Sequence, residues 1–196
     1  MFFEALASIC YNSLNMETKD PKFIHLHTHS HYSLLDGLSK LGDMVKLAKS
    51  HGMNAIGLTD HGNMYGAIEF YKTCKNNGIK PILGVEAYIT PGSRHDKRSG
   101  IDTERFHLTL LAKNVTGYKN LVRLVTLSQL EGYYYKPRMD KEILRKYSEG
   151  LICLSGCFGS ELSRAFRNRD TEEAERVALE HQEIFGKENY FLEIMQ

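Results

Sequence analysis

Hydrophobic positions recur along the chain with two periods, one helical and one extended. Leu41, Met44, Val45, Leu47 and Ala48 repeat at helical spacing and stop at His51-Gly52, a usual helix ending. Residues 54–62 read as a buried strand, Asn-Ala-Ile-Gly-Leu-Thr, that runs into the tight turn Asp60-His61-Gly62. A second helix is predicted over 65–77, ending at Gly78, and a further strand over 81–89. A polar, charge-rich loop over 91–104 leads to a strand over 106–112 and a helix over 118–130, whose Leu121, Leu124, Val125 and Leu127 form one apolar face. Then come a short helix over 141–147, a strand over 150–155, helices over 160–168 and 172–185, and a strand over 190–195. Alternating strand and helix predicts an α/β fold with parallel strands and crossover helices. In such folds chemistry gathers at the carboxyl ends of the strands.

Candidate chemistry sits where that rule puts it. Phe23 and Ile24 lead as a strand into His25-Leu-His27-Thr-His29-Ser-His31, and alternate side chains of a strand share a face. His25, His27 and His29 would project together and can converge on a metal ion, the plainer reading being a wet edge strand rich in histidine. His61 closes the next strand. Glu86 lies inside the following one among Ile82, Leu83, Val85 and Ala87, and a carboxylate there needs a basic partner or a metal. His107, taken alone, reads as a structural histidine. Cys153 reads as a buried thiol, whereas Cys157, in the turn Gly156-Cys157-Phe158-Gly159, is better placed as a ligand. Arg94, Lys97 and Arg98 are expected to be exposed on the 91–104 loop, which could cover a site or contact phosphate. Tyr133-Tyr-Tyr-Lys136-Pro-Arg138 mixes aromatic and basic residues, a pattern that suits either stacking on bases and holding phosphates or packing a loop onto the domain.

Charge and cysteine usage refine this picture. The formal net charge is +1, with a balance of −6 from Asp170 to Gln196 and +7 before it, so a polyanion would meet the earlier part of the chain more favourably. No apolar run approaches the ~20 residues needed to cross a bilayer. The four cysteines show no paired framework, which makes a reducing cytoplasm the expected location. Residues 1–20 read as an N-terminal extension, with Met16 as the expected functional start, and 21–196 as the domain.

His27-Thr-His29-Ser, Tyr32-Ser-Leu-Leu-Asp36-Gly37, Thr59-Asp-His61-Gly-Asn-Met-Tyr-Gly66 and Gly84-Val-Glu86-Ala-Tyr88 resemble the polymerase-and-histidinol-phosphatase (PHP) domain family. The branch most similar opens the alpha subunit of bacterial replicative DNA polymerase III, and similarity continues through Tyr134-Tyr-Lys-Pro-Arg138 and Ser155-Gly-Cys157. The resemblance implies a distorted TIM-like barrel of parallel strands and helices, truncated here before its last strands, where the family carries an Asp-x-His pair. By motif position it implies His27, His29, Asp36, His61, Glu86, His107 and Cys157 as ligands of up to three divalent ions, through which they would be catalytic. His25 and His31 fall outside that pattern, which corrects the alternation argument for His25. Histidine, carboxylate and thiolate donors together suit zinc or manganese, with iron also compatible.

The implied reaction is metal-dependent phosphoester hydrolysis, as 3′ to 5′ exonuclease proofreading in the intact polymerase. Arg94, Lys136 and Arg138 are candidate substrate contacts, and the implied partners are the DNA primer strand, the rest of the alpha subunit and other replisome subunits, with no membrane. Two alternatives stay open: a small-molecule phosphoesterase of histidinol phosphatase type, and a metal-stabilised structural module without catalysis.

Overall fold

A computed structural model describes residues 23–195, so the expected extension over 1–20, Met16 included, lies outside the described residues. The helices are α1 (Leu41–Ser50), α2 (Ala67–Asn76), α3 (Val115–Leu130), α4 (Lys141–Tyr147), α5 (Glu161–Arg167) and α6 (Thr171–Phe185). The strands are β1 (Ala55–Leu58), β2 (Lys80–Ile89), β3 (Phe106–Ala112), β4 (Tyr133–Tyr134), β5 (Lys136–Met139), β6 (Leu151–Leu154) and β7 (Tyr190–Phe191). No helix among them is long and apolar enough to cross a membrane.

The strands form one seven-stranded sheet in which β2 is the hub. β2 pairs in parallel with β1 along Lys80–Leu83 and with β5 at Tyr88–Ile89, and antiparallel with β3 along Gly84–Ile89. β3 in turn pairs antiparallel with β6, which pairs in parallel with β7. The arrangement is mixed α/β, with helices packed on the sheet. It differs from the expected run of parallel strands at β3, which opposes both neighbours. The cause is local: residues 90–105 connect β2 to β3 without a helix, so the chain turns back alongside β2 instead of crossing over the sheet.

Strand alternation divides the residues into two faces. Val85, Ala87, Ile89, Leu108, Leu110, Leu151 and Cys153 face the helices and form the main core with Leu121, Leu124, Ile143, Leu144, Ile184 and Phe185. Glu86, Tyr88, His107 and Thr109 therefore share the opposite face, with Glu86 across from Thr109 and Tyr88 across from His107. A smaller core joins Leu41, Val45 and Ala48 of α1 to Ile56 and Leu58 of β1 and Phe70 and Cys74 of α2.

The histidine-bearing segment is extended and docks on β1 without forming a regular strand. Gly57 N–H donates to the His25 carbonyl at 2.7 Å and Thr59 N–H to the Thr28 carbonyl at 2.9 Å. The approach is so close that a Cβ on Gly57 would lie 2.5 Å from the Leu26 carbonyl oxygen, so only glycine fits there. Two of the boundaries that shift from the sequence pattern have a visible cause. α3 begins three residues early because the Asn114 side chain caps it, accepting from Gly117 N–H at 2.9 Å. β7 stops at Phe191 because the next polar contact, Glu193 N–H to Ser155 Oγ at 2.9 Å, replaces the ladder.

Candidate metal centre

Turns at strand ends carry the remaining site residues to the face that holds Glu86. His61 forms a parallel bridge with Glu86, fixed by Gly62 N–H donating to the Glu86 carbonyl at 2.9 Å. Asp60, buried at 1% exposure, accepts from Ser30 N–H at 2.6 Å and Ser30 Oγ–H at 2.8 Å, which orders the segment bearing His29. Ser33 Oγ accepts from His61 N–H at 3.0 Å, tying the Asp36 turn to the same place.

All seven residues expected as ligands meet around Glu86. Its Oε2 lies 3.2 Å from His27 Nε2, 3.0 Å from His29 Nε2 and 2.9 Å from His61 Nδ1. Its Oε1 lies 3.0 Å from His107 Nδ1 and accepts from the Cys157 thiol at 3.2 Å. Asp36 Oδ2 completes the set 2.9 Å from His61 Nε2, at the solvent edge of the cluster. Three overlapping groups have spacing that could hold a metal ion: His27, His29 and Glu86; His29, Asp36 and His61; His61, Glu86 and His107.

The donors fit a bound cation better than they fit one another. His61 Nδ1 is buried and forms no hydrogen bond, although Glu86 Oε2 is only 2.9 Å away. His27 Nδ1–H donates to Glu193 Oε1 at 2.7 Å, so a neutral His27 turns the Nε2 lone pair toward Glu86 Oε2. Two lone pairs facing each other need a proton or a cation between them. The nitrogen, oxygen and sulfur donors match the preference of borderline divalent ions. Burial opposes ionisation of Glu86, but the imidazoles of His107, His27, His29 and His61 outweigh it and hold the carboxyl well below the usual range. Burial also disfavours the imidazolium of His27, yet Glu193 and Glu86 raise its pKa to about 9. Cys157 and then Glu86 raise that of His107 to about 9 against burial.

Other expectations fall differently. His25 is exposed and packs edge-on against Phe23, and His31 packs against Tyr32, both apart from the cluster. Arg94, expected as an exposed cation, is buried at 8% exposure: its guanidinium reaches Glu131 at 2.7 Å and Asp140 and Glu142 at 3.0 Å. Arg138 is fully buried and donates to the carbonyls of Gly132, Asp102, Asp96 and Arg94, which leaves its guanidinium committed to backbone. Of the three expected phosphate contacts only Lys136 keeps a partly exposed ammonium without an ion pair among the described residues. Sequence reasoning missed Glu193, which orients His27 and also accepts from Thr109 Oγ–H at 3.4 Å. Its signal was a lone carboxylate in the apolar run Tyr190-Phe-Leu-Glu-Ile-Met, the same kind of signal that marked Glu86.

Comparison with known proteins gives consistent matches. The family model of the PHP domain matches residues 25–196. DNA polymerase III subunit alpha of Borreliella burgdorferi is 49% identical over 176 residues, covering 89% of this chain and 15% of the relative. That of Thermus aquaticus is 49% identical over 177 residues, covering 88% of this chain and 14% of the relative. The chain thus spans about one seventh of the length of these relatives. Among solved structures, one described as a metal-dependent phosphoesterase of Bifidobacterium adolescentis aligns at a TM-score of 0.39 and 16% identity, covering 54% of this chain and 32% of that one. An amidohydrolase of Chromobacterium violaceum aligns at 0.41 and 22% identity, covering 54% and 33%.

Proposed function

The chain belongs to the PHP domain family, and on that premise we propose that it is the phosphoester-hydrolysing domain of a DNA polymerase III alpha subunit. In the intact protein it would remove nucleotides from the primer strand in the 3′ to 5′ direction. Its partners would be DNA, the rest of the alpha subunit and other replisome subunits, in the cytoplasm. The observation that carries the reading is the convergence of His27, His29, Asp36, His61, Glu86, His107 and Cys157 on one point at a strand-end rim.

Those seven residues would hold zinc or manganese ions. When bound, such ions supply positive charge to a phosphoryl group and make water nucleophilic near pH 7. The chain's own residues prepare the place. Glu193 keeps the proton on His27 Nδ1, so Nε2 is the free donor. Tyr88 stacks on His61 at 5.5 Å and meets His107 edge-on at 5.3 Å, closing one side of the cluster to water and fixing both rings. Asp36, with its side chain 48% exposed, stands on the open side, where a substrate strand can enter.

The test compares release of nucleotides from a 3′-labelled single-stranded oligonucleotide with release of phosphate from histidinol phosphate, using protein loaded with zinc or manganese and assayed for metal content. We expect nucleotide release, and loss of both metal and activity in Glu86→Ala with the fold retained. Phosphate from histidinol phosphate alone would replace this reading with a small-molecule phosphoesterase. Full metal content with neither product would replace it with a structural module.

A further inference from the structure

Several basic side chains around the sheet are already engaged. Arg98, Lys141, Arg145, Arg164 and Arg176 pair with carboxylates, as Arg94 does, and Arg138 is committed to backbone carbonyls. Arg105 and Lys136 are in no ion pair among the described residues, although both are only partly exposed. They come from separate elements, Arg105 from the residue before β3 and Lys136 from the start of β5, yet they approach one ring. Arg105 Cζ lies 5.9 Å and Lys136 Nζ 5.6 Å from the centroid of Tyr88. That is the ring that stacks on His61 and abuts His107, so the two cations stand immediately beside the candidate metal centre.

Neither has a carboxylate within ion-pair distance among the described residues, so each keeps its positive charge beside the ring. The Tyr88 ring attracts each of them without neutralising it. Arg105 spends one hydrogen bond on the Thr103 carbonyl at 3.0 Å, which leaves the rest of its guanidinium fork open to an anion. Beside Lys136, Tyr133 and Tyr135 are 54% and 64% exposed. Tyr135 occupies the tip of the β4–β5 turn with φ of 59°, a left-handed backbone that is uncommon for a non-glycine residue and that fixes how the turn presents its neighbours. Paired cations next to exposed aromatic rings are the elements of a single-strand binding groove, with charge for phosphates and π faces for bases.

We propose that Arg105 and Lys136 form an anion subsite that holds the phosphodiester adjoining the one presented to the metal centre. The ligand class is a single-stranded polynucleotide rather than a lone phosphate. The reading of which phosphate is cleaved rests on the proposed hydrolysis, whereas the binding step stands apart from it. The test is therefore made without metal and without turnover, by fluorescence anisotropy of a labelled oligothymidylate in EDTA over a range of salt concentrations.

Arg105→Ala and Lys136→Ala should each weaken binding by about three- to tenfold and lower the slope of log Kd against log salt by about 0.7. Arg105→Lys and Lys136→Arg should restore most of both. Lys75→Ala, an exposed charge on α2, should change neither. Thymidine monophosphate and inorganic phosphate should compete only weakly. Slopes for Arg105→Ala and Lys136→Ala equal to that of Lys75→Ala, with unchanged circular dichroism, would overturn the proposal. So would displacement of the oligonucleotide by inorganic phosphate at matched phosphate concentration. A protein that binds by this subsite but cleaves nothing would instead count against the hydrolytic reading alone.

Discussion

Replacing Arg138 with methionine keeps most of its length and removes its donors, and the structure sets what should follow. Nε donates to the Gly132 carbonyl at 3.1 Å, one terminal nitrogen to Asp102 at 2.7 Å, and the other to Asp96 at 2.7 Å and Arg94 at 3.3 Å. A hydrogen bond involving a charged group contributes about 1.5–3 kcal/mol. Two of these four are short, but their acceptors, Asp102 and Asp96, lie on the loop after β2, which can turn back toward water. The lower end of the range then applies, and we expect a total loss of about 3–5 kcal/mol. For a domain whose whole stability is about 5–15 kcal/mol this is a large fraction. Urea unfolding followed by circular dichroism measures it, and limited trypsin digestion at Lys97 and Arg98 reports whether the loop has come loose. Arg138→Lys, with a point charge instead of a planar fork, should fall between the two. A loss below about 1 kcal/mol with an unchanged digestion pattern would refute the clamp, since no single charged hydrogen bond would then be present. If oligonucleotide binding failed in the same stable variant, Arg138 would be a substrate contact after all.

Three further outcomes follow from the same geometry. His27→Ala should lose bound metal, whereas His25→Ala should keep it; equal losses on elemental analysis would mean that the ligands of this segment are misassigned. Glu193→Gln should weaken metal affinity about 10- to 100-fold, through loss of control over the His27 ring, with a nearly unchanged melting temperature. Glu180 is opposed by burial, but Lys141 and Arg145 lower its pKa to about 2 from an ordinary value of 4.5. A depressed carboxyl stabilises above its unfolded pKa and loses that contribution as pH falls through the folded one. Wild type should therefore melt higher than Glu180→Gln at pH 6, and the difference should shrink between pH 4.5 and 2; a constant difference in scanning calorimetry would contradict the pairing.

Much of the candidate site was legible through the motifs shared with the PHP family, and strand alternation is the physical reason that two of its members share a face. Once Val85 and Ala87 are assigned to the core, Glu86 must point the other way, and the same holds for His107 before Leu108. The direction of β3 was legible only in the helix-free loop predicted over 91–104, which the alternation of strand and helix elsewhere in the chain outweighed. The fates of Arg94 and Arg138 were hidden for another reason. A basic residue in a polar loop carries the same local signature whether it meets solvent or a distant carboxylate. What decides is Asp140, 46 residues from Arg94, and the carbonyls that the folded loop brings to Arg138. His25 failed at the first step, since alternation assumes a regular strand and the segment docks on β1 through a few bonds without becoming one.

Glu86 shows why the cluster is more than a set of polar residues that happen to meet. At 1% exposure an ionised carboxylate cannot persist in an apolar strand unless positive charge accompanies it. Among the described residues no lysine or arginine pairs with it; four imidazoles and a thiol do so instead. Imidazole differs from those cations in that it can give up its proton and keep a donor atom in the same position. Protonated rings can balance Glu86 while no ion is bound, and the same rings, deprotonated, can coordinate the ion that replaces those protons. The arrangement therefore tolerates a buried carboxylate in both conditions, which a lysine partner would not allow, because an ammonium in that place would repel the incoming metal. On this account the histidines are required by the burial of Glu86 as much as by the ion, and the strand-end turns that deliver them follow from the need to surround one carboxylate from several sides.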